Sequence, residues 1–348
     1  MHDADLIVIG AGPADMAAAR RAAECGLAVL LLDEQPAPGG QIYRDVERAS
    51  PLRGDILGAD FTDGLAPTKG IERAGITHLR GAVLWQIENG HRVDFSQGGV
   101  AAMAVGRHIL LATGALERPM PLPGWTLPGV MTAGAAQILL KQSGIVCSNA
   151  VLIGLGPLLY LVAAQMVRAG TPPKALVETQ TACNLAHAMR HLGGALRGWR
   201  YLIKGLRLLW ELRCVGVARY AGATKIAIDG DISAQAVTFQ CGAQRHRTPC
   251  ETVLMHHGVV PNTRAALSVN IPHVWDAGQQ CFAPQVDEWG RTKLQGISIA
   301  GDGAGIGGAK AAICAGELAA LAAACDMGKL SEEARDSAAR PVRRRLRY

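Results

Sequence analysis

Apolar residues in this chain fall into short continuous runs, each closed by glycine and followed by a longer stretch of helical composition. Leu6 to Ile9 is a run of β type, Gly10-Ala11-Gly12-Pro13 follows, Ala14 to Cys25 has a helical pattern, and after Gly26 a second run covers Ala28 to Leu32. Continuous apolar runs bounded by turn residues fit strands buried on both faces, and strand, Gly turn, helix, strand is a βαβ unit. The pattern returns at Val151 to Ile153, Gly154-Leu155-Gly156-Pro157, Leu158 to Ala169, Gly170 and Ala175 to Val177, 144 positions after the first. This internal repeat predicts two nucleotide-binding-type domains.

Between the repeats, His108 to Ala112 reads as a strand ending in Thr113-Gly114, and Pro119, Pro121, Pro123 and Pro128 mark a crossover. Near the end, Gly296 to Ala300 is a strand, Gly301-Asp302-Gly303 a turn, and Gly308 to Ala324 an Ala-rich helix. Residues 183 to 214 read as helical and basic, with Arg190, Arg197, Arg200, Lys204, Arg207 and Arg213 around Leu and Trp. A solvated amphipathic face is the plain reading, and a partner or peripheral membrane-surface patch is the alternative. Beyond Leu330 no core pattern is visible, which predicts a basic tail over 331–348.

Composition narrows the class. A length of 348 residues suggests about two domains. Apolar residues make up 49% and charged residues 18%, which excludes a disordered chain. The 42 glycines show no period of three, so they belong to turns and not to a collagen-like helix. Six Trp, five Tyr and four Phe are too few for a base-stacking platform. The net charge of +6 is concentrated at Arg340, Arg343, Arg344, Arg345 and Arg347, so no nucleic-acid partner is expected. Nine Cys without a C-x-x-C pair signal neither zinc nor a redox disulfide, and read as reduced thiols. Met1 to Asp5 has no basic leader, and the longest apolar stretch, Ala150 to Met166, is broken by Gly154, Gly156 and Pro157, so no transmembrane segment and a cytoplasmic location are expected.

The chemistry lies in the turns. In Gly10-x-Gly12-x-x-Asp15 the two glycines let a diphosphate approach the backbone, and the following helix directs its N–H groups at it. Asp33-Glu34 closes the second strand where a carboxylate can take ribose hydroxyls. Asp15 stands where the third glycine is usual, a charge that opposes phosphate unless its side chain points elsewhere. In the second turn, Gly154-x-Gly156-Pro157-x-Leu159, the strand ends at Glu178 with no Arg beside it, which disfavours a 2′-phosphate. Adjacent His256 and His257 point to opposite faces of a strand, so they do not suggest a shared metal. Neither a Gly-x-Ser-x-Gly elbow nor a Gly-Lys-Ser/Thr phosphate loop is present.

Gly10 to Gly40, Ala112-Thr113-Gly114 and Ile297 to Asp302 together resemble the two-dinucleotide-binding-domain flavoproteins of the pyridine nucleotide–disulfide oxidoreductase superfamily. The resemblance narrows at Leu30 to Arg44, Ala112 to Pro119, Pro123 to Ala136, Gly258 to Thr263 and Gly301 to Ala309. These segments look like the FAD-binding subunits of dye-linked dehydrogenase complexes. That group includes the A subunit of opine oxidase, the corresponding subunit of hydrogen cyanide synthase and the α subunits of proline or hydroxyproline dehydrogenases. The resemblance implies an α/β fold of two Rossmann-like domains, the second inserted in a discontinuous FAD domain. Its expected boundaries are 1–118 with 265–330 for the FAD domain and 119–264 for the second. It implies FAD held by Gly10, Gly12, Pro13, Asp33, Glu34, Gly40, Gln41, Thr113, Gly114, Gly301, Asp302, Gly308 and Ala309, with Asp302 on the ribityl chain. At Gly154, Gly156 and Glu178 it implies NAD(H) or ATP/ADP, or an empty structural domain.

Three departures stand out. Asp15 is one, and the segment from Asp45 to Thr77 is short for the group. The third is that relatives usually continue past the Arg-rich end into a Cys-rich domain able to hold a [2Fe–2S] cluster. Any iron–sulfur relay is therefore expected to lie in another subunit or to be lost. The implied function is an FAD-dependent subunit relaying electrons for an amine or imino-acid dehydrogenase. It would work in a hetero-oligomer with an amino-acid-oxidase-like β subunit, together with a small Cys-rich, iron–sulfur protein. No residue stands out as a catalytic acid or base. The rivals are a self-sufficient NADH:acceptor oxidoreductase and a truncated scaffold that keeps the fold without FAD.

Overall fold

The structure, a computed structural model, describes residues 2–73, 75–88, 91–180 and 199–346, without the side chains of 200 and 201. Cys183, Arg190, Arg197 and Arg347 lie outside the described residues. The chain divides into two units: residues 1–51, 59–116 and 259–348 form one, and residues 52–58 and 117–258 the other.

The first unit opens with β1 (His2–Ile9), α1 (Pro13–Glu24) and β2 (Val29–Asp33), the βαβ unit the apolar runs predict. It continues with β3 (Ile76–Arg80), β4 (Ala82–Glu88), β5 (Arg92–Gln97) and the long β6 (Val100–Leu111). The sheet order is β3-β2-β1-β6-β5-β4, parallel through β3, β2, β1 and β6 and antiparallel from β6 to β4. Leu6, Ile7 and Val8 are fully buried in the central strand, and Val93, Phe95, Ile109 and Leu111 join Ile7 and Ile9 in one core layer.

In the second unit, β7 (Val130–Thr132) leads into α2 (Ala133–Ser143), whose N-cap Thr132 accepts the Ala135 N–H. Then come β8 (Ala150–Gly154), α3 (Pro157–Arg168), β9 (Ala175–Glu178), α4 (Trp199–Cys214), β10 (Ala218–Tyr220) and β11 (Thr252–His256). These strands form a fully parallel sheet in the order β10-β9-β8-β11-β7. Such a sheet is buried on both faces: Val151, Ile153 and Val253 face a layer that includes Phe239 of the antiparallel strands 224–249, and Leu152 and Leu254 face α2 and α3. On α4, Leu208 and Leu212 are buried, while Trp199, Leu206 and Trp210 are exposed.

The chain returns to the first unit at residue 259, where β12 (Ile297–Ile299) later pairs with the end of β6 and α5 (Ala309–Asp326) follows. Helix α5 lies against α1 along a seam of small residues. A Cβ on Gly316 would collide with the Ala14 carbonyl oxygen, and one on Gly301 would come within 2.8 Å of the Ala14 methyl.

The tail is not the unpatterned segment the sequence suggests. Residues Glu332–Leu346 form helix α6, despite Pro341, and bury Ala339 and Val342 against Trp289, Cys314, Leu318 and Leu321. The guanidinium carbons of Arg335 and Arg343 stand 4.5 and 4.4 Å from the Trp289 ring centre, and Arg345 donates to the buried carboxylate of Glu317. Part of the basic excess thus serves the interior, because arginine covers apolar surface with its stem while its head reaches a ring, a carboxylate or water. Among the described residues no helix is long and apolar enough to cross a membrane, and no group of three or more His, Cys, Asp or Glu could hold a metal ion.

Candidate functional site: two glycine turns

In the first unit the turn after β1 carries Gly10 at φ +120°, a conformation that only glycine adopts readily. Residues 39 and 40 close over it: Gly39 donates its N–H to Ala11 (2.8 Å), and a Cβ on Gly40 would stand 2.8 Å from the Gly12 Cα. Pro13 is the first residue of α1, where a missing N–H costs nothing. Gln41 lies exposed just beyond the glycine pair.

Asp15 does not point away from this turn. It is buried, and its Oδ2 accepts the Gly12 N–H at 2.8 Å, while Oδ1 has no partner. Desolvation, and then the charge of Asp33, push its carboxyl well above the usual range. The third residue of a helix reaches back to the N-cap in the capping-box manner, and here the acid takes the N–H that a phosphate would use.

Asp33, at the end of β2, is also buried. Its Oδ1 accepts the Gln35 N–H at 3.1 Å, and its Oδ2 has no partner. Burial raises its carboxyl to about 6. Glu34 beside it is exposed and accepts from Gln35. Arg44, buried and four residues past Gly40, is the nearby cation that the motifs missed; its charge lowers the Asp33 carboxyl in part, and its Nε has no partner.

A raised carboxyl favours the folded state below its unfolded value, and that contribution is lost as pH rises from about 4 to about 6. For Asp33 this is about 3 kcal/mol. Asp33→Asn is therefore expected to raise the melting temperature by several degrees near pH 7.5 and to leave it nearly unchanged near pH 4. An equal gain at both pH values would refute the assignment.

At the other end of this unit, Thr113 donates its hydroxyl to the Asn262 carbonyl, and Gly114 takes φ +69°. Gly301 and Asp302 begin a 3-10 turn, and Asp302 Oδ1 accepts the N–H groups of Gly307 and Gly308 at 3.0 Å each. That contact shapes the loop entering α5, whose N-cap is Gly308 and first residue Ala309.

The turn of the second unit is built differently. Gly154 and Gly156 hold φ +136° and +101°, and a Cβ on Gly154 would collide with the His256 carbonyl oxygen. Helix α3 begins with Pro157 and has no acidic residue in its first turn. Glu178, at the end of β9, is not free for a ribose. Arg219 of β10 donates to both of its carboxylate oxygens, at 2.8 and 3.1 Å, and stacks near the Tyr160 ring. The expectation of no arginine beside Glu178 is thus corrected, because a neighbouring parallel strand supplies one from 41 positions away. The imidazole of His256 and the carboxylate of Glu117 also meet at this turn, 139 positions apart in sequence.

Two units, each with a run of parallel strands and a glycine turn between one of those strands and the helix after it, define a dinucleotide-type oxidoreductase fold. The sequence profile of the pyridine nucleotide-disulphide oxidoreductases matches residues 4–327, and the chain belongs to that family. It is 41% identical to the A subunit of opine oxidase from Rhizobium meliloti, over 99% of this chain and 66% of that one. It is 31% identical to hydrogen cyanide synthase subunit HcnB of Pseudomonas aeruginosa, over 90% of this chain and 69% of that one. The chain spans about two thirds of the length of these relatives. The crystal structure of L-proline dehydrogenase from P. horikoshii superimposes with a TM-score of 0.72 at 16% identity, covering 98% of this chain and 59% of that chain. That likeness is one of fold.

Proposed function

We propose that the chain is the FAD-dependent subunit of an amine or imino-acid dehydrogenase complex of opine or proline type, with FAD on the first unit. The observation that carries this is the buried Asp33 Oδ2, an acceptor with no donor, at the end of β2 beside the Gly10–Gly12 and Gly39–Gly40 cradle. A ribose hydroxyl supplies the missing donor.

Gly10, Gly12, Pro13 and Gly40 would border the diphosphate, with Gln41 beside them. Asp33 and Glu34 would take the ribose, and Thr113, Gly114, Gly301, Asp302, Gly308 and Ala309 would border the ribityl and flavin end. When bound, the flavin supplies the electron transfer. The protein's part is to hold and orient it: the backbone cradle admits the diphosphate, and the N-terminus of α5 offers a positive dipole end. The diphosphate end fits only if Asp15 is neutral or turned aside.

The domain assignment follows, with 1–118 and 265–330 as the FAD domain and 119–264 as the second. The second turn takes an adenine nucleotide, NAD(H) or ATP/ADP. The names of the relatives, all subunits, support a hetero-oligomer. The partners that this chemistry calls for are an oxidase-like β subunit, which would oxidise the substrate, and a small iron–sulfur protein.

The test is the visible spectrum of the purified chain with added FAD. A bound flavin band near about 450 nm, bleached only when the partner and its amine substrate are present, is expected. A chain that takes up no FAD at micromolar concentration would leave the scaffold reading. Direct bleaching by NADH would favour the self-sufficient reductase.

A further inference from the structure

A buried guanidinium is costly unless its donors are used. Arg44 is 6% exposed, and its Nε has no partner. Asp33, Glu34 and Asp45 stand near enough to act on its charge, yet among the described residues none of them closes an ion pair with it. Each is engaged elsewhere. Asp45 accepts from Arg48 Nε at 2.6 Å, Glu34 accepts from the Gln35 side chain at 3.1 Å, and Asp33 uses its Oδ1 on the Gln35 N–H.

The backbone sets where Arg44 stands. Gly39 donates to Ala11 in the first glycine turn, Tyr43 donates its N–H to Gly39 at 3.0 Å, and Val46 donates to Tyr43 at 3.0 Å. Tyr43 is buried, and a Cβ on Gly64 would collide with its ring. Asp45 follows at φ +55°, a left-handed conformation that an acid tolerates better than most residues. The loop is thus pinned on both sides of Arg44, and directly to the glycine turn.

Nearby, Asp33 has the opposite need: its Oδ2 is buried and has no donor. An unpaired donor and an unpaired acceptor that do not meet each other call for a group that accepts from the one and donates to the other. Two neighbouring hydroxyls can serve both at once. An ionised phosphate cannot, because it only accepts, and the three carboxylates around the guanidinium oppose its charge. We infer that Arg44 is a ribose-binding residue of the first unit, donating from Nε to one hydroxyl of the adenosine ribose while Asp33 Oδ2 accepts from the other. The inference rests on the reading that this unit holds FAD, and adds a cation to the carboxylate that reads the sugar.

Fluorescence titration of the full chain near pH 7.5, where Asp33 is ionised, tests this with two ligands: FAD, and the FAD analogue that lacks both hydroxyls of the adenosine ribose. The wild-type protein is expected to bind the analogue more weakly than FAD. Arg44→Gln is expected to weaken FAD by about tenfold to a hundredfold, the scale of one charged hydrogen bond, and to leave the analogue nearly unchanged. An arginine that only supports the fold would weaken both ligands alike. Equal losses, unchanged FAD affinity in Arg44→Gln, or an analogue that binds the wild-type protein as tightly as FAD each overturn the role of Arg44 and leave the flavin on the first unit. Should Arg44→Gln not fold, nitrogen NMR of the wild-type arginine side chains decides: FAD should move the Arg44 Nε–H signal well beyond any shift the analogue causes, and equal shifts overturn the inference. No uptake of FAD by the wild-type chain at micromolar concentration overturns the flavin reading and this inference with it.

Discussion

Asp15→Gly is expected to tighten FAD binding by about a hundredfold. A carboxylate about 6 Å from a phosphate charge is opposed by roughly 2–3 kcal/mol at an effective dielectric of 20, and each 1.4 kcal/mol is about tenfold. The substitution also frees the Gly12 N–H, which Asp15 now holds at 2.8 Å. Asp15→Asn removes the charge but keeps an acceptor for that N–H, so it should tighten binding by less.

The pH dependence follows from the same contact. Desolvation raises the Asp15 carboxyl, so the wild-type protein approaches the neutral, permissive form as pH falls, and FAD affinity should rise with it. The Gly variant should lose that part of the slope. Fluorescence titration with FAD across pH reads both effects. Unchanged affinity in Asp15→Gly would show that the side chain swings away when the flavin enters.

Glu317→Gln is expected to cost about 3 kcal/mol of stability, the lower end for breaking a buried ionic cluster, because the arginine heads around it are partly in water. Glu317 is 1% exposed, and it meets Arg20 at 3.7 Å and Arg21 at 3.6 Å on α1 as well as Arg345 on α6. One carboxylate thus ties three helices of the first unit. Denaturant melts should show the loss. Arg345→Ala should then cost much less in the Glu317→Gln background than alone, since the two act through one contact. Additive losses would mean that Arg345 stabilises α6 without Glu317.

How much of this was legible in the sequence depended on the distance over which each feature acts. The glycine turns and the strands before them could be read because a continuous apolar run and two nearby glycines specify a local conformation. The direction of Asp15 was equally local: an acid at the third helical position reaching back to the N-cap is a capping-box signal, and reading the residue only as a missing glycine passed over it. The Glu178–Arg219 pair was out of reach, because strand order in a parallel sheet brings together residues that no short motif links, and the Glu117–His256 pair because its members stand 139 positions apart. Helix α6 was hidden for another reason. Its buried face consists of Ala339, Val342 and arginine stems, which hydropathy scores as solvent-facing.

The seam between α1 and α5 bears on redesign. Replacing a mid-helix glycine by alanine usually stabilises by up to about 1 kcal/mol, and Gly316, inside α5, invites that change. Yet the Ala14 carbonyl oxygen already fills the space a methyl would need. Ala14 follows Pro13 in the opening turn of α1, just past Gly12, so a thicker α5 would push on the start of α1 and on the first glycine turn with it. In this protein the thickness of one helix at one residue sets where another helix can present its first N–H groups.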